Sequence, residues 1–283
     1  MSKICFIADI YRNQLLGGAE SNDDNLIKSL SSVHEVDCYQ SSLVTTEQID
    51  AADVVLVANF TTMSIETRNY ITANSKYIIY EHDHKYVNTR DPSRFQNFKI
   101  PETHLINKAF YENARQVVVL SNICKEVMES NIPNSKVHSI GCSLWALETF
   151  EIIEQLSKNE KLYDHGIMFS QNPTKNYLKT KEFCQSNNLE PVEIQSSVYT
   201  EFLLKMSECK NFIFLPAVLE TYSRICAEAK MMNCTVTTNA KLIGFFSEDF
   251  SGLSGQELID TLRKKNSEAY TWFIKTIEDI ASE

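Results

Sequence analysis

The chain has 283 residues, 43% of them apolar and 23% charged, with a formal net charge of −10. That length suits two domains of ordinary size. The negative charge argues against a nucleic-acid partner, which calls for a basic face, and against stable docking on an anionic membrane. No stretch approaches the ~18–20 consecutive apolar residues that cross a bilayer, and the start of the chain runs straight into a strand without a signal-peptide layout. Eight cysteines, at 5, 38, 124, 142, 184, 209, 226 and 234, lack Cys-x-x-Cys spacing and fall in apolar patterns. They are expected to be buried thiols of a reducing, cytoplasmic compartment.

Short apolar runs alternate with amphipathic ones, the pattern of an α/β protein with parallel sheets. In the first half the strands are predicted at 4–8, 35–39, 54–58, 77–80, 117–120 and 137–140, with helices notably at 19–31 and 123–130. The turn after the first strand holds Gly17 and Gly18, two of only seven glycines in the chain. Without a Cβ, such a turn lets backbone N–H groups approach a phosphate or an acceptor. Glu20 then falls in the first helical turn, where the dipole favours a negative charge.

The fourth strand runs into Tyr80-Glu-His-Asp-His84. Past it, Lys85, Arg90, Arg94, Lys99, Lys108 and Arg115 interleave with Tyr86, Phe95 and Phe98, a solvated face or an acceptor-binding or membrane-touching loop. A boundary is placed within 141–159, dividing the chain into 1–150 and 151–283. The second half repeats the alternation, with strands at 166–170, 192–195, 211–215 and 234–238 and helices at 177–187, 199–208 and 224–232. Residues 257–282 carry two helical patterns, the second with an apolar stripe of Tyr270, Phe273, Ile274, Ile277 and Ile280.

The most informative run is Glu220-Thr-Tyr-Ser-Arg-Ile-Cys-Ala-Glu228, just after an apolar strand. On one helix, eight residues span about 12 Å and about 80° beyond two turns. With Glu220 in the loop before a helix that starts near Tyr222, both carboxylates can instead serve one ligand at the carboxyl edge of the sheet. Ile225, Ala229 and Met232 then mark the core face. Ser223 and Arg224 fall at an N-terminus suited to an anion.

This Glu220-x7-Glu228 pattern, together with the Gly17-Gly18-Ala19-Glu20 loop, resembles the retaining GT-B glycosyltransferases of the E-x7-E type, the family 4-like group. The resemblance implies two Rossmann-like domains facing each other across a cleft, with the last helix crossing back to the N-terminal domain. Residues 1–150 would bind an acceptor (a glycan, lipid or small molecule) and 151–283 a nucleotide-diphosphate sugar. No metal or other cofactor is implied, since helix N-termini and cationic side chains neutralise the diphosphate.

By resemblance the catalytic residues are His82, near the transferring sugar, with His84 an equal candidate for that histidine, and Glu220, which meets that sugar. Glu228 takes the ribose hydroxyls, a role that suits a carboxylate because it accepts from a cis-diol. Gly17, Gly18, Lys175, Thr221, Tyr222, Ser223 and Arg224 complete the donor site. The pattern also departs from the family. Ser170 or Gln171 stands where an arginine is expected, Ser223 where a glycine is common, Asn233 where a glycine follows the helix and Ala217 where a serine is frequent. Two rival readings are a GT-A-type enzyme binding a divalent metal through Glu81 and Asp83, and a degenerate protein that binds a nucleotide sugar without turnover.

Overall fold

A computed structural model describes residues 1–15 and 17–283. The chain divides into two compact units, residues 1–145 with 265–283 and residues 146–264. The first unit contains β1 (Lys3–Ala8), α1 (Gly18–Ser31), β2 (Glu35–Gln40), α2 (Thr46–Asp50), β3 (Val54–Val57), α3 (Ile65–Asn74), β4 (Tyr77–Tyr80), α4 (Lys108–Glu112), β5 (Gln116–Val119), α5 (Asn122–Asn131) and β6 (Val137–Ser139). The second contains α6 (Leu147–Leu156), β7 (Tyr163–Met168), α7 (Tyr177–Ser186), β8 (Val192–Ile194), α8 (Tyr199–Ser207), β9 (Cys209–Ile213), α9 (Arg224–Met231) and β10 (Thr235–Thr237). The division falls inside α10 (Gly255–Ser282).

Both sheets are wholly parallel. The first has strand order β2-β1-β3-β4-β5-β6 and the second β10-β9-β7-β8. A parallel sheet is covered on both faces, so its central strands read as unbroken apolar runs. Val54-Val-Leu-Val57 and Tyr77-Ile-Ile-Tyr80 are buried at every position. In the second unit β7 sits so close to its neighbours that a Cβ on Gly166 would stand 2.5 Å from the Cys209 sulfur. There Ile167, Cys184 and Ile213 pack against Tyr177, Phe183, Leu189 and Leu215.

Helix α6 lies inside the stretch 141–159 where the boundary was placed, because Phe150 and Ile153 supply a buried stripe. The two helical patterns at the end of the chain form one continuous helix of 28 residues, α10. No proline interrupts it, and Leu258, Ile259, Leu262, Phe273, Ile277 and Ile280 are all buried. Among the described residues no helix is long and apolar enough to cross a membrane. All eight cysteines are free thiols, seven of them buried.

Within the first unit, buried asparagines grip the segment 143–145. Asn22 accepts from the Ser143 hydroxyl at 2.7 Å and the Leu144 N–H at 2.6 Å, and Asn25 donates to the Leu144 carbonyl at 3.0 Å. Asn266, on α10, accepts from the Trp145 N–H at 3.0 Å and donates to its carbonyl at 2.8 Å. An amide that both donates and accepts mimics a strand neighbour and satisfies backbone groups at a buried, irregular position. Asn266→Leu removes both of these bonds, although the Trp145 carbonyl keeps a longer one from the Tyr270 hydroxyl at 3.4 Å, and urea unfolding is expected to show a loss of about 2–4 kcal/mol.

Candidate functional site

In open α/β sheets, ligands bind outside the carboxyl ends of the strands where the strand order reverses. In the first unit that reversal lies between β1 and β3. Asp9, just past β1, accepts from Thr61 N–H at 2.8 Å, Thr61 Oγ1 at 2.5 Å, Thr62 N–H at 3.1 Å and Thr62 Oγ1 at 2.9 Å. It also accepts from the Ser41 hydroxyl. Burial pushes its carboxyl up, but these donors outweigh burial and hold it below the ordinary range. Asp9 therefore ties the exits of β1, β2 and β3 together.

Beside this knot, Gly17 caps α1 in an extended conformation (φ −119°, ψ 171°), so a left-handed turn is not what calls for glycine there. A Cβ on Gly17 would meet the Glu20 carboxylate at 2.0 Å. The glycine makes room for Glu20, whose carboxyl is pushed up by burial and by Asp23. Gly18 is the first residue of α1 and is exposed.

His82 follows β4 and points inward. Its Nε2 lies 2.8 Å from Asp23 Oδ1, with the two side chains 2% and 1% exposed. The Tyr80 ring meets the imidazole edge-on at 4.2 Å and Phe273 at 5.2 Å. Asp23 lacks a signal of its own in the sequence, since it is one of several polar residues on α1. It becomes visible only when α1 is laid against the exit of β4.

Glu81 is buried, and its Oε1 accepts from Lys85 Nζ at 2.7 Å and from the Asp83 N–H at 2.8 Å. Its other oxygen takes the Tyr111 hydroxyl, and Lys85 also reaches Asn59 at 3.1 Å. Burial pushes the Glu81 carboxyl up, but Lys85 and Tyr111 bring it below its usual range. Asp83 is paired with Arg90. Both carboxylates of the alternative metal reading are thus paired with cations of the chain, Glu81 with Lys85 and Asp83 with Arg90. Among the described residues no group of three or more His, Cys, Asp or Glu is arranged to hold one.

In the basic run from Lys85 to Arg115 one cation is buried and four others stay solvent-exposed. Lys85 and Tyr86 face inward, and Arg90, Arg94, Lys108 and Arg115 pair with Asp83, Asp91, Glu102 and Glu283. His84, Arg90, Asn97, Phe98 and Asn107 all have φ between 52° and 57°. This left-handed backbone is costly for side chains other than Gly or Asn and persists only where the surroundings over-determine it.

In the second unit the strand order reverses between β7 and β9. Lys175 lies past β7 and Glu220 past β9, and Lys175 Nζ donates to both Glu220 oxygens at 2.8 Å. Two hydrogen bonds join the same loops, Ala217 N–H to the Thr174 carbonyl at 2.9 Å and Asn176 Nδ2 to the Leu215 carbonyl at 2.9 Å. Glu220 precedes α9 and forms a parallel bridge with Ile243. Lys175 is 31% exposed and Glu220 11%, so the pair has one open side.

Ser223 takes the left-handed conformation (φ 66°) at the start of α9, the position where the resemblance expects glycine. Asn233, after the helix, does the same (φ 61°). Tyr222 points its ring into the core, 5.7 Å from Phe245. Thr221 is half-buried in the same loop. The buried face of α9 is Cys226, Ala227, Glu228 and Ala229 together with Met231 and Met232, whereas Ile225 is only half-buried.

Glu228 has no exposed surface. Its Oε1 accepts from the Tyr199 hydroxyl at 2.5 Å and from Arg224 Nε at 3.4 Å. Arg224 also reaches the Tyr199 hydroxyl at 3.5 Å. Burial, with Glu228 alongside, pushes the Tyr199 phenol up. Tyr199 was missed by sequence reasoning, which saw only the first residue of an ordinary helix.

Neither protein-family models nor curated sequences match the chain. Solved structures do. An alpha-glucosyltransferase in complex with UDP and a 13-mer DNA containing an HMU base is 11% identical over all of both chains, with a TM-score of 0.55. Alr3699/HepE of Anabaena, in complex with UDP and glucose, is 10% identical, with a TM-score of 0.53 over 96% of this chain and 99% of that one. The UDP-N-acetylglucosamine 2-epimerase of Rickettsia bellii is 10% identical, with a TM-score of 0.53 over 99% of this chain and 98% of that one. Likeness at such identities establishes the fold, which is GT-B.

Two expectations test these networks. Lys85→Met leaves Glu81 buried without its cation and is expected to cost about 3–5 kcal/mol in urea unfolding, much of it recovered in Glu81→Gln/Lys85→Met. Because the folded Asp9 carboxyl is lowered, its contribution is complete above the unfolded value of about 3.9 and is lost as pH falls through the folded value. The stability gap between wild type and Asp9→Asn is therefore expected to be larger at pH 7 than at pH 3.

Proposed function

We propose that this chain is a glycosyltransferase that takes its sugar from a nucleoside diphosphate sugar, held by the second unit at the Lys175–Glu220 pair. That pair is the observation that carries the reading. It sets a cation and a carboxylate side by side at the strand-order reversal, next to the start of α9. Helix N-termini and cations neutralise a departing diphosphate, and a carboxylate accepts from sugar hydroxyls.

In the transfer, the bond from the sugar's C1 to the β-phosphate oxygen breaks and its electron pair stays with the diphosphate. A bond from C1 to the acceptor oxygen forms, and the acceptor's proton is released. Lys175 offsets the charge that builds on the leaving group, Glu220 orients the sugar, and Glu228 takes the ribose. Retention of configuration and independence from metal are parts of this proposal carried over from the E-x7-E resemblance. On this reading α10 is the helix by which such chains return to their first domain, and that domain receives the acceptor.

His82, buried against Asp23, would act by shaping the loop after β4. The nucleotides bound by the structural neighbours favour uridine as the base. The acceptor is read as a glycan, lipid or small molecule. DNA such as the first neighbour holds would call for a basic face, against a net charge of −10. One observation favours binding without turnover: Ser170 and Gln171 occupy the place of a second cation, and the Ser170 hydroxyl accepts from the Asn172 N–H at 3.1 Å.

Thermal unfolding with UDP, GDP, ADP and CMP in EDTA tests the donor site. At 100 times its dissociation constant the matching nucleotide is expected to add about 2.7 kcal/mol. In a transfer assay Glu220→Ala and Glu228→Ala are each expected to lower the rate at least about 100-fold. Near-wild-type transfer by both variants would remove the enzyme reading, and binding with no transfer by wild type would leave the non-catalytic one.

A further inference from the structure

Glu228 presents a geometric problem to any ligand. The residue is wholly buried, and one of its oxygens is already met by two donors from this chain. A ribose cannot reach a carboxylate in that state, so a donor that binds there has to uncover it. Arg224 lies four residues before Glu228 on the same helix, and their ion pair follows the helical spacing. It is held in place by α9 itself.

Tyr199 comes from a different element. It is the first residue of α8, only partly buried, and it follows exposed residues at 197 and 198, with Val198 47% exposed. Its hydroxyl makes to Glu228 the contact that a sugar hydroxyl would make, since both are O–H donors to a carboxylate. A cis-diol brings two such donors where the phenol brings one.

We propose that Tyr199 is a displaceable stand-in for the ribose diol: its hydroxyl closes Glu228 in the empty site, and only a ligand carrying both ribose hydroxyls replaces it. This inference rests on the donor-site reading above. Competition with the chain's own hydroxyl then weakens ribonucleotides alone and so narrows the site's preference for them over 2′-deoxyribonucleotides. A 2′-deoxy ligand, left with one hydroxyl, binds with Tyr199 in place.

The test is isothermal titration of UDP and dUDP into the full chain. A ligand that needs a minor open state binds more weakly in proportion to that state's population. Removing a hydrogen bond to a charged acceptor raises that population by about tenfold or more. Tyr199→Phe is therefore expected to bind UDP about tenfold more tightly than wild type, with dUDP unchanged within about twofold. Tyr199→Leu, a second hydroxyl-free variant, should behave alike. Glu228→Gln is expected to weaken UDP binding, and adding Tyr199→Phe to it should change little.

A merely structural tyrosine would move UDP and dUDP together, and that result would overturn the inference. So would unchanged or weaker UDP binding in both tyrosine variants. If Glu228→Gln left UDP binding intact while Lys175→Ala weakened it, the ribose role of Glu228 would fall, and this inference with it, while the donor site stood. If wild type failed to bind UDP, the uridine assignment would fall and this inference with it, and failure with GDP and ADP as well would remove the donor reading.

Discussion

Because every strand in each sheet is parallel to its neighbours, all the strands of a sheet end on the same edge. The chain must cross back over a face between strands, which buries both faces and leaves that carboxyl edge as the place where loops, helix N-termini and polar side chains gather. Asp9, Gly17, Glu81 and His82 in the first unit follow β1 or β4. Lys175 and Glu220 in the second follow β7 and β9. A change of direction in one strand would send its loop, and the charge on it, to the opposite edge.

The polar groups at these edges are held by the chain itself. Asp9 is saturated by threonine and serine donors, Glu81 by Lys85 and Tyr111, and Glu228 by Tyr199 and Arg224. Burying a carboxylate without a partner costs several kcal/mol, so each sits where a cation or a set of O–H and N–H donors converges. The loop after β4 shows the consequence. Its five left-handed residues are tolerated because Glu81, Lys85 and Tyr111 anchor its start and Asn107, whose side chain donates to the Lys85 carbonyl at 2.8 Å, anchors its end. Lys175 and Glu220 differ in retaining some exposure on an otherwise pinned pair of loops.

Much of the strand pattern was legible because a strand buried on both faces is written as consecutive apolar residues, as at Val54-Val-Leu-Val57. Helix α6 was not, since its apolar residues are spaced among glutamates and its start at Leu147 carries no capping side chain. Glu220 and Glu228 were legible as a spacing. That Glu220 lies before α9 and pairs with Lys175, a residue 45 positions away, depends on β7 and β9 being neighbours. That the Tyr222 ring packs on Phe245 was not legible, because a tyrosine beside a glutamate looks the same in sequence whichever way its ring turns.

By itself the amino-acid order determined what depends on near neighbours: the alternation of strands and helices, the parallel class, the glycines at the start of α1, and a carboxylate on each side of the start of α9. Tertiary structure decided everything that joins distant residues. Asp23 meets His82 across 59 positions, Tyr199 meets Glu228 across 29, and Asn266 grips Trp145 across 121. Periodicity records which face of an element is apolar. It carries no record of which polar residue on another element will stand opposite, because that follows from strand order and packing.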